Sequence, residues 1–483
     1  MTEDKKLNIL FASFEAAPFI KTGGLGDVAA ALPGAVQCPD MDVRVVLPKL
    51  AQIGEEYKKQ MRFLCSFYVP LGWRSQYCGL LELQRGGVTW YFLDNEFYFN
   101  RPAAYGYFDD GERMAFFSKA VCECCRYIPD FFPDILHCND WHTAMAPVFL
   151  REQYRYAPGY GDIKTIFTIH NLMFQGQYDP FILGDILGLH DVPAARDQLL
   201  RDNGRCVNYL AGAVCYSDRV TTVSPTYARE ICTPYFGEGL QDLFLQRHEI
   251  LSGILNGIDT GSYDPAADPA IPCNYTEPDG KAINKAELQR ELGLEVDPSV
   301  PLCVAVSRLT EQKGFDLLNA VAEEMLDVCQ IAILGTGDNL YEDKYRELAE
   351  KHPGRFSASI LFSEPLSRRM YAGGDIFLMP SRFEPCGLSQ MIAMRYGTIP
   401  VVRKTGGLAD SVEPFNRFTG EGTGFAFQNF NAHELLFTVQ EACRLCTESP
   451  VAWENLQRQA MAQDFSWEAS AKQYRSLYRS LFA

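Results

Sequence analysis

Short apolar runs alternate with longer stretches of helical periodicity along both halves of the chain. In the first half the runs Leu7 to Ser13, Asp42 to Leu47, Asp134 to Cys138, Thr165 to Ile169, Arg219 to Val223 and Ile250 to Leu255 predict strands. In the second half they are Leu302 to Val306, Gln330 to Leu334, Ser359 to Phe362, Ile376 to Met379 and Ile399 to Val402. Strand and helix in alternation predict parallel sheets covered by helices. Three prolines between Tyr263 and Pro272 mark a linker between the halves, and the tail beyond Val451 reads as amphipathic helix, with Trp453, Leu456, Met461, Trp467, Tyr474, Leu477 and Tyr478 on its apolar face.

One heptapeptide recurs with a single change. Lys21-Thr22-Gly23-Gly24-Leu25-Gly26-Asp27 and Lys404-Thr405-Gly406-Gly407-Leu408-Ala409-Asp410 each follow a strand-like run and precede a helical one. Each reads as a glycine loop opening a helix, where backbone N–H groups face an anion. A pair of tight turns is the simpler alternative for either copy alone; the near-identity of the two indicates related halves.

The 483 residues exceed a single core, which points to two or three domains. A net charge of −17 argues against a nucleic-acid or anionic-membrane partner, so any anionic ligand must be met by a local cluster of cations. No apolar run reaches the ~18 residues of a membrane span. Lys5-Lys6 before Leu7 to Phe14 imitates a short signal peptide, but Glu3 and Asp4 precede it and Glu15 cuts the run short, so a buried first strand and a bacterial, cytoplasmic setting are expected. The 16 cysteines are scattered, as in a reducing compartment. Cys122-Glu123-Cys124-Cys125 and Cys443-Arg444-Leu445-Cys446 each offer only half of a zinc shell, so packing is the expected role of both.

Polar residues gather just past the carboxyl ends of strands, where such sheets bind ligands. The junctions are Asn139-Asp140-Trp141-His142, His170-Asn171, Ser307 to Gly314, and Pro380 to Leu388. Singly, these are ordinary: His137, Asp140 and His142 in a bonded turn, Arg308 and Lys313 on the surface, Glu384 capping a helix. Together with the glycine loops they supply cations, helix dipoles, a carboxylate and imidazoles, the means of cleaving a bond to a diphosphate leaving group.

Lys21 to Val28, His137 to Thr143, His170-Asn171-Leu172, Asn256-Gly257-Ile258-Asp259, Ser307 to Gly314 and Pro380 to Gln390 resemble, in order, the motifs of bacterial glycogen synthases and plant starch synthases. The resemblance runs from about Leu7 to the last helices. It implies a GT-B fold, two Rossmann-like parallel-sheet domains facing across a cleft: 1–262 on the glucan side, 263–455 for the nucleotide sugar, and 456–483 as a helix crossing back. The implied reaction moves glucose from ADP-glucose to the non-reducing 4-OH of an α-1,4-glucan with retention, needing no cofactor or metal. Carried over, Lys21 with Gly23 and Gly24 contacts the nucleotide sugar, Arg308 and Lys313 hold the diphosphate, and Glu384 binds the sugar hydroxyls beside the amides of Gly387, Leu388 and Ser389. Asp140, His142, His170 and Asn171 form the opposite wall. Tyr105, Asn256, Phe362 (stacking on adenine), Asp27, Cys386 and Gly407 complete the substrate-binding set.

Retention leaves two routes, a double displacement through Glu384 or a front-face transfer with the His170 carbonyl beneath the ring and the leaving phosphate as base; the second is preferred. The aromatics from Trp90 to Phe108 serve as core or stack on glucan rings. Domain closure about a hinge near Asp264 is expected. The chain departs from the family pattern at Gly34 to Asp42, without the usual Gly-His turn, and at Asp259 to Tyr263, without the aromatic-acidic-Trp run. Rival readings are a UDP-glucose-dependent transferase, a glucan phosphorylase (which needs a pyridoxal-phosphate lysine and a longer chain) and an inactive glucan-binding protein. The co-occurrence of Lys21, Arg308, Lys313 and Glu384 argues against the last.

Overall fold

The computed structural model describes residues 6–483 and divides into two units. The residues Glu3, Asp4 and Lys5, used above to judge the start of the chain, lie outside the described residues. Unit 1 holds the chain up to Val223, Ala228–Ile254 and Trp467–Ala483; unit 2 holds Ser224–Tyr227 and Leu255–Ser466.

Among the described residues, unit 1 is built on a nine-stranded sheet. Its strands are β1 Leu7–Ala12, β2 Met41–Pro48, β3 Arg62–Leu71, β4 Arg74–Arg85, β5 Val88–Asp94, β6 Ile135–Asn139, β7 Lys164–Ile169, β8 Arg219–Thr222 and β9 Leu251–Gly253, in the order β9-β8-β7-β6-β1-β2-β5-β4-β3. From β9 to β5 neighbours run parallel. Central β1 is apolar almost throughout, because helices cover both faces. At one edge the parallel sheet continues into an antiparallel meander of β5, β4 and β3, which the strand–helix alternation does not predict. These strands alternate inward Phe67, Val69 and Leu71 with outward Ser66, Tyr68 and Pro70, since one face of an edge meander meets solvent. A further small sheet joins Gln177–Tyr178, Leu200–Arg201 and Cys206–Asn208.

Unit 2 holds a six-stranded, wholly parallel sheet, β12-β11-β10-β13-β14-β15, from β10 Leu302–Val306, β11 Gln330–Leu334, β12 Phe356–Ser359, β13 Ile376–Met379, β14 Ile399–Arg403 and β15 Phe425–Phe427. The strand expected over Ser359 to Phe362 lies three residues earlier; Ser363 caps the next helix by accepting the Leu366 amide, so Ile360 to Phe362 form the loop. The proline-rich Tyr263 to Pro272 segment is packed within unit 2, where buried Asp268 accepts from the Tyr396 hydroxyl and from Arg368.

The stretch 456–483 contains the end of the helix Pro450–Met461 and all of Trp467–Ser480, which belongs to unit 1. The latter buries Trp467, Ala471, Tyr474 and Tyr478 along one face. Arg475 donates to the carbonyl of Val36 at the end of helix Gly24–Val36, and Arg479 pairs with Asp40 at 2.6 Å. The aromatics from Trp90 to Phe108 divide between roles: Trp90, Tyr91, Phe92, Tyr98 and Phe99 are core, whereas Phe97, Tyr105 and Phe108 are exposed.

Candidate active site

Because β1, β6 and β7 are parallel, the loops leaving their carboxyl ends share one edge of the unit 1 sheet. These loops carry Glu15 to Asp27, Asp140 to His142 and His170-Asn171. The anion held by the first glycine loop is internal. The Glu15 carboxylate takes the Thr22 amide and hydroxyl, each at 2.5 Å, and amides of Gly23 and Gly26. Burial raises Glu15 above the ordinary carboxylate range, opposed by these donors. Tyr105 donates to the Thr22 hydroxyl at 2.8 Å, so Tyr105, Thr22 and Glu15 form one chain. Lys21 pairs with Asp27 of its own motif at 2.7 Å. A Cβ on Gly26 would sit 3.1 Å from the Lys21 side chain, so that glycine keeps the turn tight. Sequence reasoning used Glu15 only to dismiss a signal peptide; a carboxylate just upstream of a glycine loop was the signal available.

Asp140 is buried and has φ of +56° with ψ of 177°, a positive-φ extended conformation that residues with a Cβ rarely adopt. Its carboxylate accepts the His170 amide at 2.7 Å and the Asn171 amide. Burial raises it to about 7, against the pull of those amides. His170 Nε2 lies 3.0 Å from the Asn139 Oδ1. The Asn139 amide nitrogen donates to the Ala12 carbonyl, which leaves Oδ1 as acceptor and assigns the proton to His170 Nε2. His142 stacks on Phe14 with ring centres 5.0 Å apart, and neither of its ring nitrogens has a hydrogen-bond partner among the described residues. Burial lowers both His142 and His170 to about 3, so both are neutral near pH 7. His137 is structural: fully buried, it sits between the Tyr478 hydroxyl at 2.8 Å and the Thr168 hydroxyl at 2.7 Å.

In unit 2 the loops after β10, β13 and β14 share an edge for the same reason. Lys313 Nζ lies 2.6 Å from Glu384 Oε2, and the Ser381 hydroxyl donates to the same oxygen at 3.1 Å. Arg308 is exposed, and its guanidinium has no partner among the described residues. Its loop is fixed by close backbone contacts: a Cβ on Gly335 would lie 1.8 Å from the Ser307 carbonyl oxygen, and on Gly337 2.1 Å from that of Leu309. The Leu309 amide donates to Thr336 and the Asp338 amide to Leu309. These glycines were missed from sequence.

The second glycine loop differs from the first. Gly407 donates its amide to the Glu384 carbonyl at 3.0 Å, and a Cβ on Gly406 or Gly407 would lie 2.0 Å from the carbonyl oxygen of Glu384 or Cys386. The loop therefore backs the Glu384 to Cys386 segment, and the amide of Gly407 is already used. Asp410 accepts from the Thr226 amide and hydroxyl, at 2.7 and 2.6 Å, rather than pairing with a lysine as Asp27 does. Gly387 has φ of +72°, and Leu388 and Ser389 open the helix Ser389–Arg395. Cys386 is buried, and burial pushes its thiol up to about 12. The buried Asn256 Oδ1 has no hydrogen-bond partner among the described residues. Phe362 is 90% exposed at the carboxyl end of β12.

The starch synthase catalytic domain family matches residues 8–246, and the glycosyl transferases group 1 family matches residues 286–455. The structure superposes on the catalytic domain of Starch Synthase IV from Arabidopsis thaliana bound to ADP and acarbose with a TM-score of 0.87 and 32% identity, over 99% of both chains. A sucrose-phosphate synthase from Thermosynechococcus elongatus, at 18% identity and TM-score 0.61, shares the fold alone. Two α/β units on these sheets, with these matches, define a glycosyltransferase of the GT-B class. A glycogen synthase of Clostridium novyi (strain NT) is 48% identical over 98% of this chain and 99% of its own length, and one of Geobacillus stearothermophilus is 49% identical over 98% of each. The chain belongs to the family of glycogen synthases and starch synthases, and is a hexosyltransferase.

Proposed function

We propose that this chain extends an α-1,4-glucan by transferring glucose from ADP-glucose to the non-reducing 4-OH, with retention and without a catalytic metal. The observation that carries this reading is the pairing of Lys313 with Glu384 on the same sheet edge as Arg308, which has no partner among the described residues. Two cations take up charge building on a leaving diphosphate, the task a metal performs elsewhere. In this reading Glu384 and the amides of Gly387, Leu388 and Ser389 hold the sugar, Phe362 stacks on adenine, and Asn256, Cys386 and Gly407 shape the donor side. Lys21, Gly23, Gly24, Asp27, Tyr105, Asp140, His142, His170 and Asn171 serve the unit 1 side. A cytoplasmic setting agrees with 16 free cysteines; no described helix is long and apolar enough to cross a membrane.

For retention, the occupied state of Glu384 supports the front-face route: a carboxylate engaged by Lys313 and Ser381 is a poor nucleophile. A glucosyl adduct trapped on Glu384 overturns it. The overall reading is tested by glucose incorporation into glycogen from ADP-glucose and UDP-glucose, with chelator present and Glu384→Gln as control. Incorporation from ADP-glucose that is lost in Glu384→Gln supports it. Preference for UDP-glucose, or dependence on a divalent ion, overturns the donor or the metal-free assignment respectively.

A further inference from the structure

Cys443-Arg444-Leu445-Cys446 supplies half of a zinc shell, and the fold brings two further cysteines to Cys443. Cys303 is the second residue of β10, Cys329 immediately precedes β11, and Cys443 lies on the helix Ala432–Glu448. Their three sulfur atoms lie within 4.8 Å of one another, and all three residues are buried. Cys446, outside that group of three, stands one turn beyond Cys443 on the same helix face and is half-buried. The cluster sits at the amino-terminal edge of the sheet, opposite the loops that carry Arg308, Lys313 and Glu384.

We propose that Cys303, Cys329, Cys443 and Cys446 form a structural thiolate site for a divalent d10 cation of the zinc class. The donor set suits such an ion, which takes four soft ligands in tetrahedral array and needs no open position in a structural role. In this proposal Cys446, one helix turn from Cys443, turns inward to complete the shell from the solvent side. The Arg355 guanidinium donates to the Cys329 carbonyl at 3.1 Å, and the Lys285 and Asp375 pair lies beside Cys446. Binding expels the thiol protons to solvent, and no oxidation or reduction occurs. The ion ties β10, β11 and the helix together and takes no part in glucosyl transfer.

The test uses the full chain, reduced, stripped with chelator and titrated with Co(II) as an optical probe. The expected result is a thiolate-to-metal charge-transfer band with intense visible bands of tetrahedral cobalt, saturating at one equivalent and displaced by Zn(II). Cys329→Ser is expected to abolish the bands, and Cys446→Ser to shift them as oxygen replaces one sulfur. Cys446 is only half-buried, unlike Cys329, so its variant folds even if Cys329→Ser does not. In that event, protection of the four thiols from alkylation by Zn(II), mapped by mass spectrometry, replaces the Cys329 arm. No charge-transfer band at one equivalent, or bands unchanged in the variants, overturns the site. A disulfide at Cys329 in the purified protein also overturns it.

Discussion

Lys313 Nζ and Glu384 Oε2 lie 2.6 Å apart, with the Glu384 side chain only 8% exposed. An ion pair so buried is costly to break from one side, because the remaining charge is left without a partner. Lys313→Ala is expected to lower kcat by about 10²-fold or more and to destabilise the protein by roughly 3 kcal/mol. Glu384→Gln is expected to lower kcat by a similar factor of ~10² while disturbing stability less. The double variant is expected to be no slower than the worse single one and to melt above Lys313→Ala, since it contains no orphaned charge. Strict additivity in kcat and melting temperature contradicts the coupling.

Asp140 titrates near 7 in the folded protein against 3.8 for an ordinary aspartate, because burial disfavours its charged form. The sign follows: below pH 3.8 the carboxyl is protonated folded or unfolded and costs nothing, and between 3.8 and about 7 the folded state is progressively penalised as pH rises. Asp140→Asn, which cannot ionise, is expected to melt relatively higher at pH 8 than at pH 4 when compared with the parent. Its activity profile is expected to lose an inflection near 7. Equal melting differences at both pH values contradict the assignment. Since His142 and His170 are lowered to about 3, neither gives an inflection between pH 5 and 8.

Glu15 supports the glycine loop from within through the Thr22 amide and hydroxyl. Glu15→Gln weakens charge-assisted bonds worth about 1.5–3 kcal/mol each. The expected result is a roughly tenfold loss in kcat/KM for the nucleotide sugar, with Thr22→Val showing the same direction. Steady-state kinetics at fixed glycogen check it; a variant with unchanged kcat/KM shows that the loop holds its shape unaided.

The central strands were legible because parallel strands covered on both faces carry runs such as Leu7–Ala12 and Gln330–Leu334, a signal that needs no partner to interpret. The edge meander was not. Val88–Asp94 reads as an aromatic cluster and Arg62–Leu71 is half solvent-facing, so pairing rather than local pattern makes them strands. The two heptapeptides look alike, yet Asp27 meets Lys21 while Asp410 meets Thr226, a difference set by tertiary neighbours. Glu15, Gly335 and Gly337 were missed for the same reason: each acts on residues that only the fold brings near.

Gly337 and Gly335 leave room for the loop that carries Arg308. A Cβ at either would fall inside contact distance of a carbonyl oxygen, 2.1 and 1.8 Å respectively, and backbone cannot yield as a flexible side chain does. Gly337→Ala is expected to displace Ser307 to Leu309 and to raise the ADP-glucose KM more than the glucan KM. A variant with parental KM for the donor contradicts this support role.

Arg308 itself offers the sharpest contrast. It has no partner among the described residues, so removing its charge leaves no buried group orphaned and costs little stability. Arg308→Lys keeps the charge but loses the planar fork that grips two phosphate oxygens, whereas Lys cannot match that geometry from a mobile point charge. The expected result is a kcat lowered by about 10-fold or more in Arg308→Lys and by about 10²-fold or more in Arg308→Ala. Melting temperatures within a degree or two of the parent are expected for both. Kinetics and thermal melts on the same samples separate this from Lys313, whose loss is expected to reduce both. A large melting loss at Arg308 would mean that the side chain is structural, and an Arg308→Lys variant of parental activity would mean that charge alone, without the fork, holds the leaving diphosphate.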